Sequence, residues 1–481
     1  MAERAGKGNR SALLAIVAEG FFSRLSFGLV TFALPLYAFE EFGFSLAQIG
    51  FLASFNMIVA IALKPAMGNV ADRFGLKLSL NVAIALRSVV TLLLAVAAVP
   101  WQVFAARGVH GVSVAMRDPA IGALLAEHGG KKQIAQTFAW YQTAKTFAGN
   151  ASKMGSGILL SLTASNYSLV FLLAFALSLV PLFVVVVYVR ERPKTVLGPH
   201  VTAAQVAAPE PRPEGVKGST IAQFAGIGFL VNGSAYMING LFPVFAVEYA
   251  GLTPAQTGLV YGVSPVMALA GPGFGWLSDN VSRKLVLSVR SVANIVSSVV
   301  YLLAPSFGGV AIGRGLDDLG KAAFTPAWGA LVAQLSDFDK KRRARLFGYM
   351  SSGEDAGEAA GPIVAGLIAS AWGFPVLLGV RIGVAAFTEV YTVLIAHGLE
   401  SDGRTMTGRE TYKLRVAVPI RLALGALVGF GAGWVVEDVR KPGGLVEPAR
   451  TVSEQAPAAD EKGRCSSDPT LRAIQEQTGG C

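Results

Sequence analysis

The stretch GNVADRFGLK, Gly68 to Lys77, follows a long apolar run and sets Asp72, Arg73 and Lys77 around two glycines, Gly68 and Gly75. A second version, GWLSDNVSRK, occupies Gly275 to Lys284. Gly275 stands 207 positions after Gly68, and Asp279 stands 207 after Asp72. Working outward, the register persists. An offset of 208 relates Pro35 to Pro243, Glu40 to Glu248, Gly43 to Gly251, Gln48 to Gln256 and Gly50 to Gly258. An offset of 207 relates Arg107 to Arg314, Gly108 to Gly315, Pro119 to Pro326, and GALLA (Gly122 to Ala126) to GALVA (Gly329 to Ala333). Shared greasiness alone does not hold glycines, prolines and charges in step for so long, so the chain is a tandem of two like halves.

The medium follows from composition. Of 481 residues, 53% are hydrophobic and only 15% charged, against about 25% charged in ordinary soluble domains. Apolar segments lie at about 12–37, 46–67, 78–98, 101–125, 137–162, 166–189, 220–247, 256–278, 285–304, 307–334, 346–371 and 374–397. As helices, segments of about 20 residues cross a hydrocarbon core of ~30 Å. The start, MAERAGKGNR, leads into a polar-punctuated helix without an A-x-A site, which predicts no removable signal peptide.

Basic residues fall on alternate connections. Arg4, Lys7 and Arg10 precede the first span; Arg73 and Lys77 follow the second; Lys131 and Lys132 follow the fourth. Arg190, Arg192, Lys194, Arg212 and Lys217 follow the sixth, Arg283 and Lys284 the eighth, and KKRRAR (Lys340 to Arg345) the tenth. The opposite connections, EEFGFS, AVPW, TASNY, EYAGLT, APSFGG and SAWGF, hold no lysine or arginine. By the positive-inside rule both ends of the twelve-span unit, the N-terminus included, face the cytoplasm. The net charge of +10 is thus topology, and no nucleic-acid partner is expected.

The resulting fold class is an all-α polytopic membrane protein: two six-helix bundles related by a pseudo-twofold repeat, plus an extra C-terminal membrane helix. The domains are an N-terminal bundle at 1–189, a cytoplasmic linker at 190–219 and a C-terminal bundle at 220–398. A basic connector at 399–415, the extra helix at 416–436 and a polar, disordered tail at 437–481 follow; whether 416–436 spans the membrane or lies along it, and so on which side the tail sits, is left open. Gly425, Gly429 and Gly433 give the extra helix a stripe for tight helix contact, and 416–481 is a candidate site for a protein partner. The only cysteines, Cys465 and Cys481, sit in that tail.

On these features the chain resembles the major facilitator superfamily over roughly residues 10–398. GNVADRFGLK is similar to that family's loop between spans two and three, Gly-x-x-x-Asp-Arg/Lys-x-Gly-basic-basic, at Gly68, Asp72, Arg73, Gly75 and Lys77; Leu76 departs. The second copy keeps Gly275, Asp279, Arg283 and Lys284, with Asn280 and Ser282 where Arg and Gly are usual. Both loops are candidate gating elements, in which Asp72 needs a cationic or helix-end partner against an unfavourable dipole. Arg107-x-x-x-Gly111 resembles the family's span-four motif, which implies proton coupling. Gly357-x-x-x-Gly361-Pro362-x-x-x-Gly366 resembles its antiporter motif, displaced here from span five to span eleven; such stripes also serve plain helix packing.

Ionisable groups inside spans are costly and mark function. The candidates for transport and proton coupling are Glu19, Arg24, Arg107, His110, Arg117, Asp118, Lys145, Asp317, Asp318, Lys321, Glu354, Asp355 and Glu358, with Lys153 beside them in span five. Spacing of four lets Asp317 meet Lys321 and Arg314 meet Asp318, and sets Glu354 and Glu358 on one face. The N-half candidates are mostly basic and the C-half ones mostly acidic, so ion pairs across the halves are expected.

No catalytic residues emerge: Cys/His nucleophile arrangements and zinc-ligand spacing are absent. No nucleotide-binding signature is present, and no cofactor is expected. The reading is a secondary active transporter of a small polar or charged solute in the bacterial inner membrane, coupled to protons, with the lipid bilayer, the solute and the coupling proton as partners. A metal ion or metal-chelate carrier of the same fold, which the carboxylates would suit, and a non-transporting receptor or assembly scaffold are the alternatives. Uptake or export, and symport or antiport, are left open.

Overall fold

A computed structural model describes residues 2–128, 134–189, 218–280, 283–337 and 343–401, all within one compact unit. Residues 190–217 of the linker, the connector beyond residue 401, the segment 416–436 and the tail lie outside the described residues.

All regular structure among the described residues is helical. The first half consists of α1 (Ala2–Glu40), α2 (Leu46–Phe74), α3 (Leu76–Ala95), α4 (Pro100–His128), α5 (Ile134–Leu162) and α6 (Tyr167–Tyr188). The second begins with α7 (Gly218–Asn239), the short α8 (Phe242–Val244) and a π-helical turn over Phe245–Tyr249. It continues through α9 (Pro254–Val260), α10 (Val263–Ala268), α11 (Gly271–Asn280), α12 (Arg283–Leu303), α13 (Phe307–Asp337) and α14 (Arg343–Ser401). Gly373 bends α14 into two arms with φ 81° and ψ 174°, backbone that is essentially glycine's alone. Gly75, the only residue between α2 and α3, has φ 105°.

The repeat read in the sequence recurs in local geometry. Ser45 caps α2 in a reciprocal box with Gln48, and Thr253 caps α9 in the same way with Gln256. The preceding corners turn on Gly43 and Gly251, at φ 61° and 66°.

Six described helices are long and apolar enough to cross a membrane, or seven when the bent pair Ala222–Asn239 and Phe242–Tyr249 counts as one. The span expected at 346–371 and that at 374–397 join through the Gly373 corner into one qualifying stretch, Ser351–Thr392. Helices α4, α5 and α13 are as long, at 29, 29 and 31 residues, but charge interrupts their apolar runs.

The segments 220–247 and 256–278, read as continuous spans, are broken. Proline explains where, because it cannot donate to the carbonyl four residues back. Pro243 withholds a bond from Asn239, the last residue of α7; Pro265 withholds one from Tyr261, and Pro272 one from Ala268, the end of α10. Tightened turns fill these gaps, with Gly262 N–H bonded to Leu259 O at 2.9 Å and Ala270 N–H to Met267 O at 3.1 Å. The matching Pro35 leaves α1 unbroken.

The two halves meet along α2 against α14 and α5 against α9. Each seam is backbone on backbone. A Cβ at Gly50 would collide with Pro362 O, and one at Gly366 would lie 2.5 Å from Leu46 O. At the other seam, a Cβ at Gly157 would collide with Pro254 O, and one at Gly258 would lie 2.8 Å from Met154 O. Ala255 N–H also donates to Ser161 Oγ across the halves at 2.9 Å. Beside these seams one buried aromatic cluster draws on both halves, with Phe32 edge-on to Tyr261. This closed end carries the connections that lack lysine and arginine.

Candidate functional site

Three groups of buried or half-buried charge occupy the middle of the spans: one inside each half and one between them.

Inside the first half, Arg117 on α4 clasps Glu19 on α1 in bidentate fashion, at 2.9 Å and 3.0 Å from its Nη2. Ser23 and Tyr141 complete the cage, Ser23 Oγ donating to Glu19 at 2.8 Å and Arg117 donating to Tyr141 Oη at 2.8 Å. Arg107 donates to the carbonyls of Leu52 and Ala53 and to the side chain of Asn56, so it ties α4 to α2. Gly111 seats this crossing, because a Cβ there would lie 2.6 Å from Asn56 O. His110 stacks on Phe27 with ring centroids 3.9 Å apart, and neither ring nitrogen has a partner among the described residues. Arg87 on α3 lies over the same Phe27 ring at 5.2 Å.

Inside the second half, Arg381 on the second arm of α14 is wholly buried. Its guanidinium donates to Asp317 Oδ1 at 2.6 Å, Ser298 Oγ at 2.8 Å, Ser234 O at 2.9 Å, and Ser297 Oγ and Asn294 Oδ1 at 3.1 Å. Ser297 and Tyr301 also donate to Asp317, and Arg290 donates to its carbonyl oxygen at 2.7 Å. The expected meeting of Asp317 with Lys321 therefore does not occur, because Arg381 offers a planar fork on the inner side. Glu354 accepts from Trp328 Nε1 at 2.6 Å and from Asn232 at 3.5 Å.

Between the halves, Lys64 on α2 reaches Asp355 on α14 at 2.8 Å and Asp118 on α4 at 3.7 Å. This is an ion pair across the halves, and its cation is one the sequence reading had not named. Arg314 binds Asp318 at 3.0 Å, as the spacing predicts, and donates to Asn239 at 2.6 Å. Ser264 donates to the same carboxylate. Arg314 lies over the Tyr261 ring at 4.9 Å, and Lys153, from α5 of the other half, over the same ring at 4.6 Å. Arg24, Arg314, Lys321 and Asp318 all lie within electrostatic reach of Lys153. Arg24, Lys321 and Asp355 lie likewise within reach of Glu358, beside which Tyr236 stands. Arg24 and Lys321 are exposed although each is near the middle of its helix. Lys145 lies over Tyr141 at 5.0 Å.

At the ends bearing the basic connections, Lys77 donates to Val186 O at 2.9 Å and so caps the end of α6. Arg73 is exposed and Gly68 lies in open space; Gly275 packs loosely near Pro326. The side chains of Asp72, Asp279, Arg283 and Lys284 lie outside the described part. No group of three or more His, Cys, Asp or Glu among the described residues could hold a metal ion.

Lys64, Arg87, Arg290 and Arg381 escaped the sequence reading, although each interrupts an apolar run (IALKPAM, ALRSVV, SVRSVA, GVRIGV). A charge inside a span was the signal for all four. Tyr261 had no signal, since its role comes from the helix break that Pro265 imposes.

A family model described as Major Facilitator Superfamily matches residues 19–222 and 224–437. The multidrug resistance protein MdtG of Salmonella paratyphi A is 22% identical over 388 residues, covering 77% of this chain and 92% of that relative. MdtG of Salmonella arizonae is 22% identical over 386 residues, with the same coverage. Among solved structures, a mutant of the nucleoside transporter NupG superposes with a TM-score of 0.63 at 15% identity, over 80% of this chain and 99% of that one. A bacterial homologue of the human lysosomal transporter Spinster, inward-facing and occupied, gives 0.62 at 15% identity, over 82% and 96%. Identities that low speak for the fold.

Proposed function

We propose that this chain, which belongs to the Major Facilitator Superfamily and so is an integral-membrane transporter and not an enzyme, is a secondary active carrier of a small polar or charged solute, coupled to protons. The two halves alternate access around a site near mid-membrane. The observation that carries this reading is Lys64, which joins the halves at Asp355 while also facing Asp118. A pair of that kind forms in one arrangement of the halves and must part in the other, so whatever neutralises Asp355 biases the exchange. A proton does so without leaving a bare carboxylate behind.

The positive-inside assignment places the N-terminus in the cytoplasm and the glycine seams at the outer face. The arrangement with seams closed is then the inward-facing one.

Proteoliposome flux tests the reading. Radiolabelled solute should exchange down its gradient without an imposed proton gradient and accumulate uphill with one. Asp355→Asn should keep exchange and lose accumulation. No exchange for any solute would leave the receptor or scaffold alternative standing. Drug export is the second reading, prompted by the name multidrug resistance protein that the Salmonella relatives carry and by similarity over 388 residues. It predicts lower drug accumulation in cells that express the chain than in cells expressing Asp355→Asn.

A further inference from the structure

The two carboxylates that face Lys64 belong to different halves and are held differently. Asp355 Oδ2, on α14, lies 2.8 Å from the ammonium and accepts a hydrogen bond from it. Asp118 Oδ2, on α4, lies 3.7 Å away, an ion pair without a hydrogen bond. The side chains of Lys64, Asp118 and Asp355 are 25%, 46% and 33% exposed, so the lysine can turn from one to the other without repacking a core.

The farther contact is internal to the first half, because α2 and α4 are fastened to each other. Arg107 donates to Leu52 O at 3.0 Å and to Ala53 O at 2.7 Å. A Cβ at Gly111 would lie 2.6 Å from both Asn56 O and Val59 Cβ. Lys64 follows Val59 by about one and a half turns of α2, and Asp118 follows Gly111 by about two turns of α4. The spacing of Lys64 and Asp118 is thus set inside one half, whereas that of Lys64 and Asp355 depends on how the halves sit. Glu358, the other carboxylate within electrostatic reach of Lys64, shares an arm of α14 with Asp355 and moves with it. Pro65 and Pro119 directly follow Lys64 and Asp118 inside their helices. Each withholds a backbone bond, from Ile61 O and Ala115 O respectively, so both helices have local give at these two residues.

We propose that Asp118 is a positioning residue for the exchange of the halves: it takes over Lys64 when Asp355 lets go. The inference deepens the carrier reading above, in which neutralising Asp355 releases the halves, and rests on it. A lone ammonium inside a span is costly, so a lysine with a single carboxylate would hold the halves as they stand. With Asp118 travelling beside it, Lys64 trades one carboxylate for another and is not left bare.

The test uses the full chain in nanodiscs, in a Cys465→Ser/Cys481→Ser background, with one spin label on each half near the basic connections. The distance distribution reports the populations of the two arrangements. Asp118→Asn should shift them at least about fivefold toward the arrangement with Lys64 on Asp355. Asp355→Asn should shift them the opposite way, and Asp118→Glu should restore the parent distribution. A role in stability alone would lower the thermal midpoint without producing these opposed shifts. Should Asp118→Asn fail to fold, Asp118→Ser carries the same comparison. An unchanged distribution in Asp118→Asn, or a shift in the same direction as Asp355→Asn, overturns the proposal. The measurement needs no solute. Opposed shifts with no exchange of any solute in proteoliposomes would overturn the carrier and keep the handover; exchange with no effect of Asp118→Asn on the distances would do the reverse.

Discussion

Arg381 and Lys64 represent opposite uses of one charge inside a membrane. Arg381 is enclosed, its guanidinium facing Asp317, three side-chain oxygens of α12 and a carbonyl of α7. Lys64 keeps partial exposure and two carboxylates from different halves. The first geometry fastens one half; the second can be exchanged. Removing one member of a buried pair strands its partner, at about 3–5 kcal/mol. Arg381→Leu should therefore lower the thermal midpoint sharply, and the double variant Arg381→Leu/Asp317→Asn should recover much of the loss. If the double variant is no better than the single one, Asp317 is not the partner that matters. Lys64→Gln should leave the midpoint nearly unchanged and broaden spin-label distances across the face with the basic connections. Of this scale the sequence made part legible. The i,i+4 contact of Arg314 with Asp318 follows from spacing, but Asp317 was free to turn toward Lys321 or across the bundle, and only packing decided for Arg381.

At the scale of elements, the internal repeat was legible in detail because caps and corners are local. Ser45 with Gln48 and Thr253 with Gln256 need only four residues each to form. Helix breaks depend on more. Pro35 and Pro243 occupy matching positions, yet only the second ends a helix. The Gly373 corner joins two spans with no loop between them. Gly373→Ala should cost about 1–3 kcal/mol, read as an earlier thermal midpoint, with Gly383→Ala, where a Cβ inside a helix meets nothing, as the control that should not lower it. A valine at Gly157 would force Pro254 and Gly258 away from α5. Gly157→Val should make cysteines placed near Ser161 and Ala255 reactive to an impermeant thiol reagent; unchanged protection would mean that this seam is not what seals the face.

For the whole molecule, hydropathy and loop charge announced a twelve-span membrane body, since the bilayer constrains composition more tightly than any fold does. What they could not convey is how the halves sit, because that depends on contacts between residues hundreds of positions apart, as with Lys64 and Asp355. The family assignment supplies the machine. The two seams add something about speed. At Gly50, Gly157, Gly258 and Gly366 the opposing surfaces are backbone with no side-chain fit to break, while the aromatic cluster beside them, with Phe32 on Tyr261, is the hydrocarbon that parting the halves uncovers. A joint of bare backbone reseats at those four points without searching among rotamers. The glycines thus let the halves reseat quickly, and the aromatic cluster they flank sets how much opening costs.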